Sequence, residues 1–192
     1  MRRALQSLRQ GIAALACLLS VCTASAAKTL DLSGYTDASG AITVQHHGDT
    51  VDPYFSLQAL WLAQSQGMDT SAHALPWARW LNRQYTAAGH LGRYCKTPQT
   101  WIWCKAPDAD DSSLALWLHL LRNLPATERD KLGASALEAR ARQDLQQLQD
   151  TRLGIYKVSP QATHGLFIDN LEVWSTLPSN RLAHSIRTVF WD

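Results

Sequence analysis

Apolar residues recur along most of this chain at the three- and four-residue spacing that lines one face of a helix. Asp52-Pro53 opens the first such segment, Asp as N-cap and Pro at the first helical position. Leu57, Leu60, Trp61 and Gln64 follow at helical spacing, and Gly67 closes the element. A second segment runs from near Leu75-Pro76 to Gly89, with the stripe Trp77, Leu81, Tyr85 and Ala88. A third runs from Asp111 to Asn123, presents Leu114, Trp117, Leu118 and Leu121 inward, and is broken by Pro125. A long fourth begins at Thr127 and stops at Gly154. Leu137, Ala141, Leu145 and Leu148 line its inner side; Glu138, Arg140, Arg142 and Gln146 face water. Asp169 to Glu172 reads as a capping box for a fifth helix carrying Leu171, Val173 and Trp174. A sixth, from Asn180, carries Leu182, Ile186, Val189 and Phe190. Residues 28–40 are polar and turn-rich, and Ala41 to Val44 is at most a short extended piece. The expected class is all-α.

The segments repeat. Gly40 to Val44 leads to Asp52 and then Trp61; Gly92 to Tyr94 leads to Asp108 and then Trp117; Gly154 to Val158 leads to Asp169 and then Trp174. The three tryptophans stand just under sixty residues apart. A period of that size predicts stacked helical hairpins, each burying its apolar face on the next. Trp61, Trp117 and Trp174 are expected in the core, on buried stripes.

This pattern resembles the hairpins of α/α toroids, in which an outer helix ends at a Gly-aromatic turn and an inner helix starts at the mouth of the barrel. The resemblance to the six-hairpin glycosidases implies antiparallel helical hairpins forming an open or partial toroid of about three units, with acids at inner-helix starts lining a sugar cleft. A complete toroid has five to seven hairpins in that superfamily, more than this chain holds. Asp108-Ala109-Asp110-Asp111-Ser112 also resembles the Asp-x-Asp-Asp acid motif of class II terpene cyclases, which implies proton donation to an alkene.

The N-terminus changes the picture. Arg2, Arg3 and Arg9 precede the apolar run Gly11 to Val21, and Ala24-Ser25-Ala26 is a small-residue cleavage signature. Residues 1–26 read as a signal peptide and 27–192 as a single exported domain, periplasmic or secreted; the competing lipoprotein reading at Cys22 has Val21 where a small residue is wanted. No later stretch is long and apolar enough for a membrane helix. Cys17 and Cys22 leave with the signal. Cys95 and Cys104, separated by a short loop in an oxidising compartment, are expected to form a disulfide. Net charge is +2 with the basic residues scattered, so nothing points to nucleic acid.

Candidate chemistry centres on Asp108, Asp110 and Asp111. Sugar hydrolysis uses one protonated and one ionised carboxyl, and crowding raises one pKa. The competing role for an acid at a helix start is capping and favouring the helix dipole. Asp52, Asp169 and Glu172 occupy equivalent starts and face the same cleft if the helix ends converge. Trp101, Trp103 and Tyr94 are the expected sugar platform, since indole faces stack on sugar CH groups; alternation suggests one tryptophan in and one out. His46-His47 with Asp49 and Asp52 is the one metal-like cluster, but adjacent rings tend to diverge in an extended segment, and no metal or cofactor is expected. The functional expectation is a carbohydrate-active protein, hydrolysing glycosidic bonds if an enzyme. The alternatives are a non-catalytic polysaccharide- or protein-binding scaffold and a terpene-cyclase-like acid catalyst. The expected partners are an oligosaccharide or polysaccharide and a second subunit, or another copy, completing the toroid.

Overall fold

Asp52 starts the first helix as its chemistry requires, its carboxylate accepting the Tyr54 N–H at 3.1 Å with Pro53 next in the chain. The structure, a computed structural model, describes residues 28–107 and 109–192. The predicted signal segment and Asp108 lie outside the described residues. In chain order the elements are β1 (Thr50–Val51), α1 (Pro53–Ser65), α2 (Ser71–Ala88), β2 (Arg93–Lys96), β3 (Trp101–Lys105), α3 (Asp110–Asn123), α4 (Ala126–Leu132), α5 (Ala134–Gln147), α6 (Phe167–Thr176) and α7 (Asn180–Phe190).

Two features overturn the all-α toroid. First, the chain is mixed: β1, β2 and β3 form a three-stranded antiparallel sheet in that order. The cysteine stretch is a hairpin, not a loop. Trp101, Ile102 and Trp103 are strand formers, and the Thr97 N–H donates to Thr100 O at 2.8 Å to close the turn. A helical period sought everywhere misses such short strands. Second, α3 is wrapped rather than lumen-facing. It packs against α1, α5 and α6 and touches α2. Every residue from Asp111 to Leu118 is buried, so α3 has no face for a hollow. An inner helix of an open arc would leave one side to solvent.

Several boundaries differ for local reasons. α2 begins one turn early, at Ser71, and contains Pro76. It ends at Gly89, whose φ of 83° is the left-handed cap the sequence suggested. The predicted fourth helix is two, because Gly133 at φ 67° turns the chain between α4 and α5, and α5 stops at Gln147 rather than Gly154. The capping box at Asp169 is not made: α6 starts at Phe167, putting Asp169 and Glu172 inside the helix. Trp117 is fully buried and Trp61 partly so, but Trp174 is exposed, against expectation. α6 turns Val173 to the core and its next residue away.

The aromatic core joins sheet to helices. Trp77 stacks on Trp80 with centroids 5.1 Å apart, and Tyr94 and Trp101 meet Trp80 edge-on at 5.3 and 5.9 Å. Cys95 and Cys104 form the disulfide that ties β2 to β3. Closing so short a loop contributes about 2–3 kcal/mol. Reduction, or a Cys95→Ala, Cys104→Ala pair, is therefore expected to lower the urea midpoint; an unchanged midpoint would show that the bridge leaves stability unaffected. Asn170 is a second clamp. Its side chain accepts from Tyr156 N at 2.7 Å and donates to Tyr156 O and Leu166 O at 2.9 and 3.0 Å, fastening the turn before α6 onto that helix. Because Asn170 is fully buried, Asn170→Leu strands backbone groups and is expected to cost about 2–3 kcal/mol in a denaturant titration. Among the described residues, no helix is long and apolar enough to cross a membrane.

Candidate functional site

The first turns of α1, α3 and α6 meet at one end of the molecule. Tyr54, in the first turn of α1, donates its hydroxyl to Glu172 Oε1 at 2.8 Å, and Gln58 Nε2 donates to the same oxygen at 2.7 Å. Ser112 of α3 donates its hydroxyl to Asp169 O at 3.3 Å. Asp111, Asp169 and Glu172 are all buried there, with Asp111 fully enclosed. Of the acids expected to share one mouth, Asp111, Asp169 and Glu172 lie near one another, in a closed interior and not in a cleft.

Their environment is dry and short of donors. Neither Asp111 oxygen has a hydrogen-bond partner, nor do Asp169 Oδ2 and Glu172 Oε2. Burial, with the Asp169 charge second, pushes Asp111 up to about 8; the nearby backbone N–H groups of Ser112 and Asp111, too poorly aligned for a full hydrogen bond, act in the other direction. Burial and then Glu172 push Asp169 up to about 6. Burial and the Glu172 charge raise Tyr54. Asp111 lines none of the main cavities formed by the described residues. Among the described residues, no group of three or more His, Cys, Asp or Glu side chains is arranged to hold a metal ion. His46 and His47 sit with ring centroids 4.0 Å apart instead of diverging.

Asp52 serves structure. Besides capping α1 it takes Arg93 Nε at 2.5 Å, at the edge of a cavity of about 290 Å³ that Phe55 also lines. Tyr94 and Trp101 are buried, so neither is a platform. Trp101 Nε1 donates to Asp37 Oδ2 at 3.0 Å, and burial pushes the Tyr94 hydroxyl up to about 12.

Asp110 turns the other way from Asp111. With His90, Trp103, Ala106, Pro107 and residues 159–161 it lines a cavity of about 290 Å³. With Tyr85, His90 and Asp144 it also lines an adjoining one of about 150 Å³. Trp103 is 48% exposed, and its ring meets His90 at 5.8 Å. Gly92 makes room for it, since a Cβ there would lie 2.4 Å from Trp103 Nε1. Burial pushes Asp110 up to about 6; His90 opposes the rise and the Asp144 charge adds to it. The Tyr85 hydroxyl donates to Asp144, and the Arg140 guanidinium lies over the Tyr85 ring at 4.2 Å. Asp110, His90 and Pro160 thus border both cavities, with the open indole of Trp103 in one and the second carboxylate, Asp144, in the other.

Of the sequence candidates, Trp103 and Asp110 come together in this cleft, while Asp111, Asp169 and Glu172 gather in the sealed cluster. His90, Asp144 and Tyr85 were missed. Asp144 did carry a signal: it falls between Ala141, Leu145 and Leu148, an acid at the edge of a buried stripe. His90, directly after the Gly89 cap, carried none. No protein-family model, curated protein or solved structure matches this chain.

Proposed function

We propose that this is an exported carbohydrate-active protein whose working cleft is the Trp103–Asp110 cavity. The observation that carries this reading is an open indole and an acid raised to about 6 lining the same cavity of about 290 Å³. A sugar ring stacks on the Trp103 face by its CH groups. Asp110, protonated below about pH 6, donates to the leaving oxygen, and Asp144 is the second carboxylate. Burial of Asp110 between strand hairpin and α5 supplies the pKa that an acid catalyst requires. A second reading, binding without turnover, is favoured by the Tyr85 hydroxyl, which already occupies Asp144.

The test is a screen against oligosaccharides and polysaccharides, following reducing ends and tryptophan fluorescence together. Hydrolysis is expected to fall off as pH rises through 6, where Asp110 loses its proton. Asp110→Asn is expected to lower kcat at least about a hundredfold with KM little changed. Trp103→Ala weakens binding in either reading. Binding without reducing ends, retained in Asp110→Asn, leaves the scaffold reading; no sugar binding at all removes both.

A further inference from the structure

One wall of the cleft is the irregular segment 156–161. Ser159, Pro160 and Gln161 line the cavity that Trp103 and Asp110 share. Two anchors fasten this wall to helix starts. Asn170 of α6 accepts from Tyr156 N at 2.7 Å and donates to Tyr156 O at 2.9 Å. The Asp110 N–H, at the start of α3, donates to Val158 O at 2.8 Å. A third tie, from Lys157 N to Leu148 O at 3.0 Å, hinges the segment on the end of α5.

Each anchor is the chain neighbour of a buried acid: Asp110 precedes Asp111, and Asp169 precedes Asn170. Asp111 is fully enclosed and Asp169 nearly so, and neither Asp111 oxygen nor Asp169 Oδ2 has a well-formed hydrogen bond. A carboxylate charge without water or donors is costly in such a place, and two of them at the junction of α3 and α6 repel as well. The side-chain hydrogen bond across that junction is a long one, from Ser112 Oγ to Asp169 O at 3.3 Å. The surroundings add acids rather than cations. Asp169 and Asp110 act on Asp111, and Glu172 acts on Asp169. From α1 come Tyr54 and Gln58, both bonded to Glu172, and the cap Asp52, paired with Arg93. Asp144 of α5 and His90 act on Asp110, and Tyr85 of α2 gives its hydroxyl to Asp144. On α7, packed against α6, Arg181, His184 and Arg187 are exposed. Burial and then like charge push Asp169 up to about 6 and Asp111 up to about 8, so Asp111 ionises last.

We propose that Asp111 and Asp169 form a proton latch on the cleft. With Asp111 protonated, the starts of α3 and α6 stay closed and both anchors hold the wall. Once Asp111 ionises beside Asp169, the two starts part, water reaches the carboxylates, and the wall loosens about its tie to α5. That the latch regulates a sugar site rests on the reading of the cleft given above; the loosening of the wall does not, and the experiment below reads the loosening itself.

Quenched-flow hydrogen exchange, corrected for intrinsic rates, compares pH 7 with pH 9, a span in which Asp110 and Asp169 are already largely ionised. An opening that returns Asp111 to an ordinary carboxylate value is favoured about tenfold more at the higher pH. The amides of Tyr156 and Asp110 are therefore expected to lose about tenfold in protection. Dilute urea should leave their exchange unchanged, because a local opening exposes little surface. The Leu118 amide, inside α3, is expected to stay better protected and to respond to urea. Asp111→Asn should hold Tyr156 protection constant between the two pH values, and Asp169→Asn should shrink the loss. Unchanged protection at Tyr156 and Asp110 in the parent would overturn the proposal. So would a full loss that persists in Asp111→Asn or in Asp169→Asn, or losses at Tyr156 and Leu118 that are equal and equally urea-dependent, the mark of whole-chain unfolding. Should Asp111→Asn fail to fold, the parent and Asp169→Asn decide the matter.

Discussion

Asp111→Asn is expected to stabilise this protein at pH 8, by roughly 2–4 kcal/mol, and to flatten its dependence on pH. The cause is a carboxyl fully enclosed at the start of α3, with no well-formed hydrogen bond to either oxygen and Asp169 beside it. Its folded pKa, pushed up to about 8, lies above the unfolded value, so between the two the folded chain binds a proton that the unfolded chain releases. Stability from this group is therefore fully present below the ordinary carboxylate range and is lost as pH rises through 8. Asp169, pushed up to about 6, acts with the same sign over a narrower window. Asp31, Asp37, Asp69, Glu128 and Asp150 are held low and act with the opposite sign, but only at more acidic pH. Urea titrations of both proteins from pH 5 to 9 separate the contributions. A gap between variant and parent that shrinks as pH rises would contradict the account. Asn still places a polar group where none is well satisfied, which keeps the expected gain below the full linkage value of about 1.4 kcal/mol per pKa unit.

Trp117→Ala is the other large effect, a loss of about 3–5 kcal/mol. Trp117 is fully buried in α3, the helix that α1, α5 and α6 enclose, so its removal leaves a cavity bounded by several elements. Its indole N–H has no hydrogen-bond partner, so packing alone carries the contribution. Trp174, on the matching helix α6, is 40% exposed, and Trp174→Ala is expected to cost less than 1 kcal/mol, in the ordinary range for surface changes, about ±0.5 kcal/mol. Equal losses at the two positions would mean that the repeat in sequence is also a repeat in packing.

That contrast shows what pattern reading captures. Local chemistry was legible wherever a residue acts on its immediate neighbours: the Asp52 cap with Pro53, the Gly89 stop, and the disulfide across ten residues of chain. The common hollow expected of the helix-start acids was not formed: Asp111, Asp169 and Glu172 lie together in the interior, while Asp52 pairs with Arg93 and Asp110 lines a separate cavity. The strands were not legible, since two to five residues are too few for a period to register against the surrounding helices. Nor was the direction of each acid. Asp110 and Asp111 are adjacent, and a rotation of about 100° per residue on a helix sends one to the cleft and the other to the interior.

From the residues alone came a chain of short amphipathic helices, a bridged pair of cysteines, and acids placed at helix starts, because caps, stripes and cysteine spacing act over a few residues. Tertiary packing decided that α3 would be enclosed instead of facing a hollow. That enclosure sealed Asp111 with Asp169 and Glu172 and left Asp110 beside Trp103, His90 and Asp144. Which carboxyl is desolvated and which is reachable depends on the elements arriving from elsewhere in the chain, and no spacing within one segment encodes that.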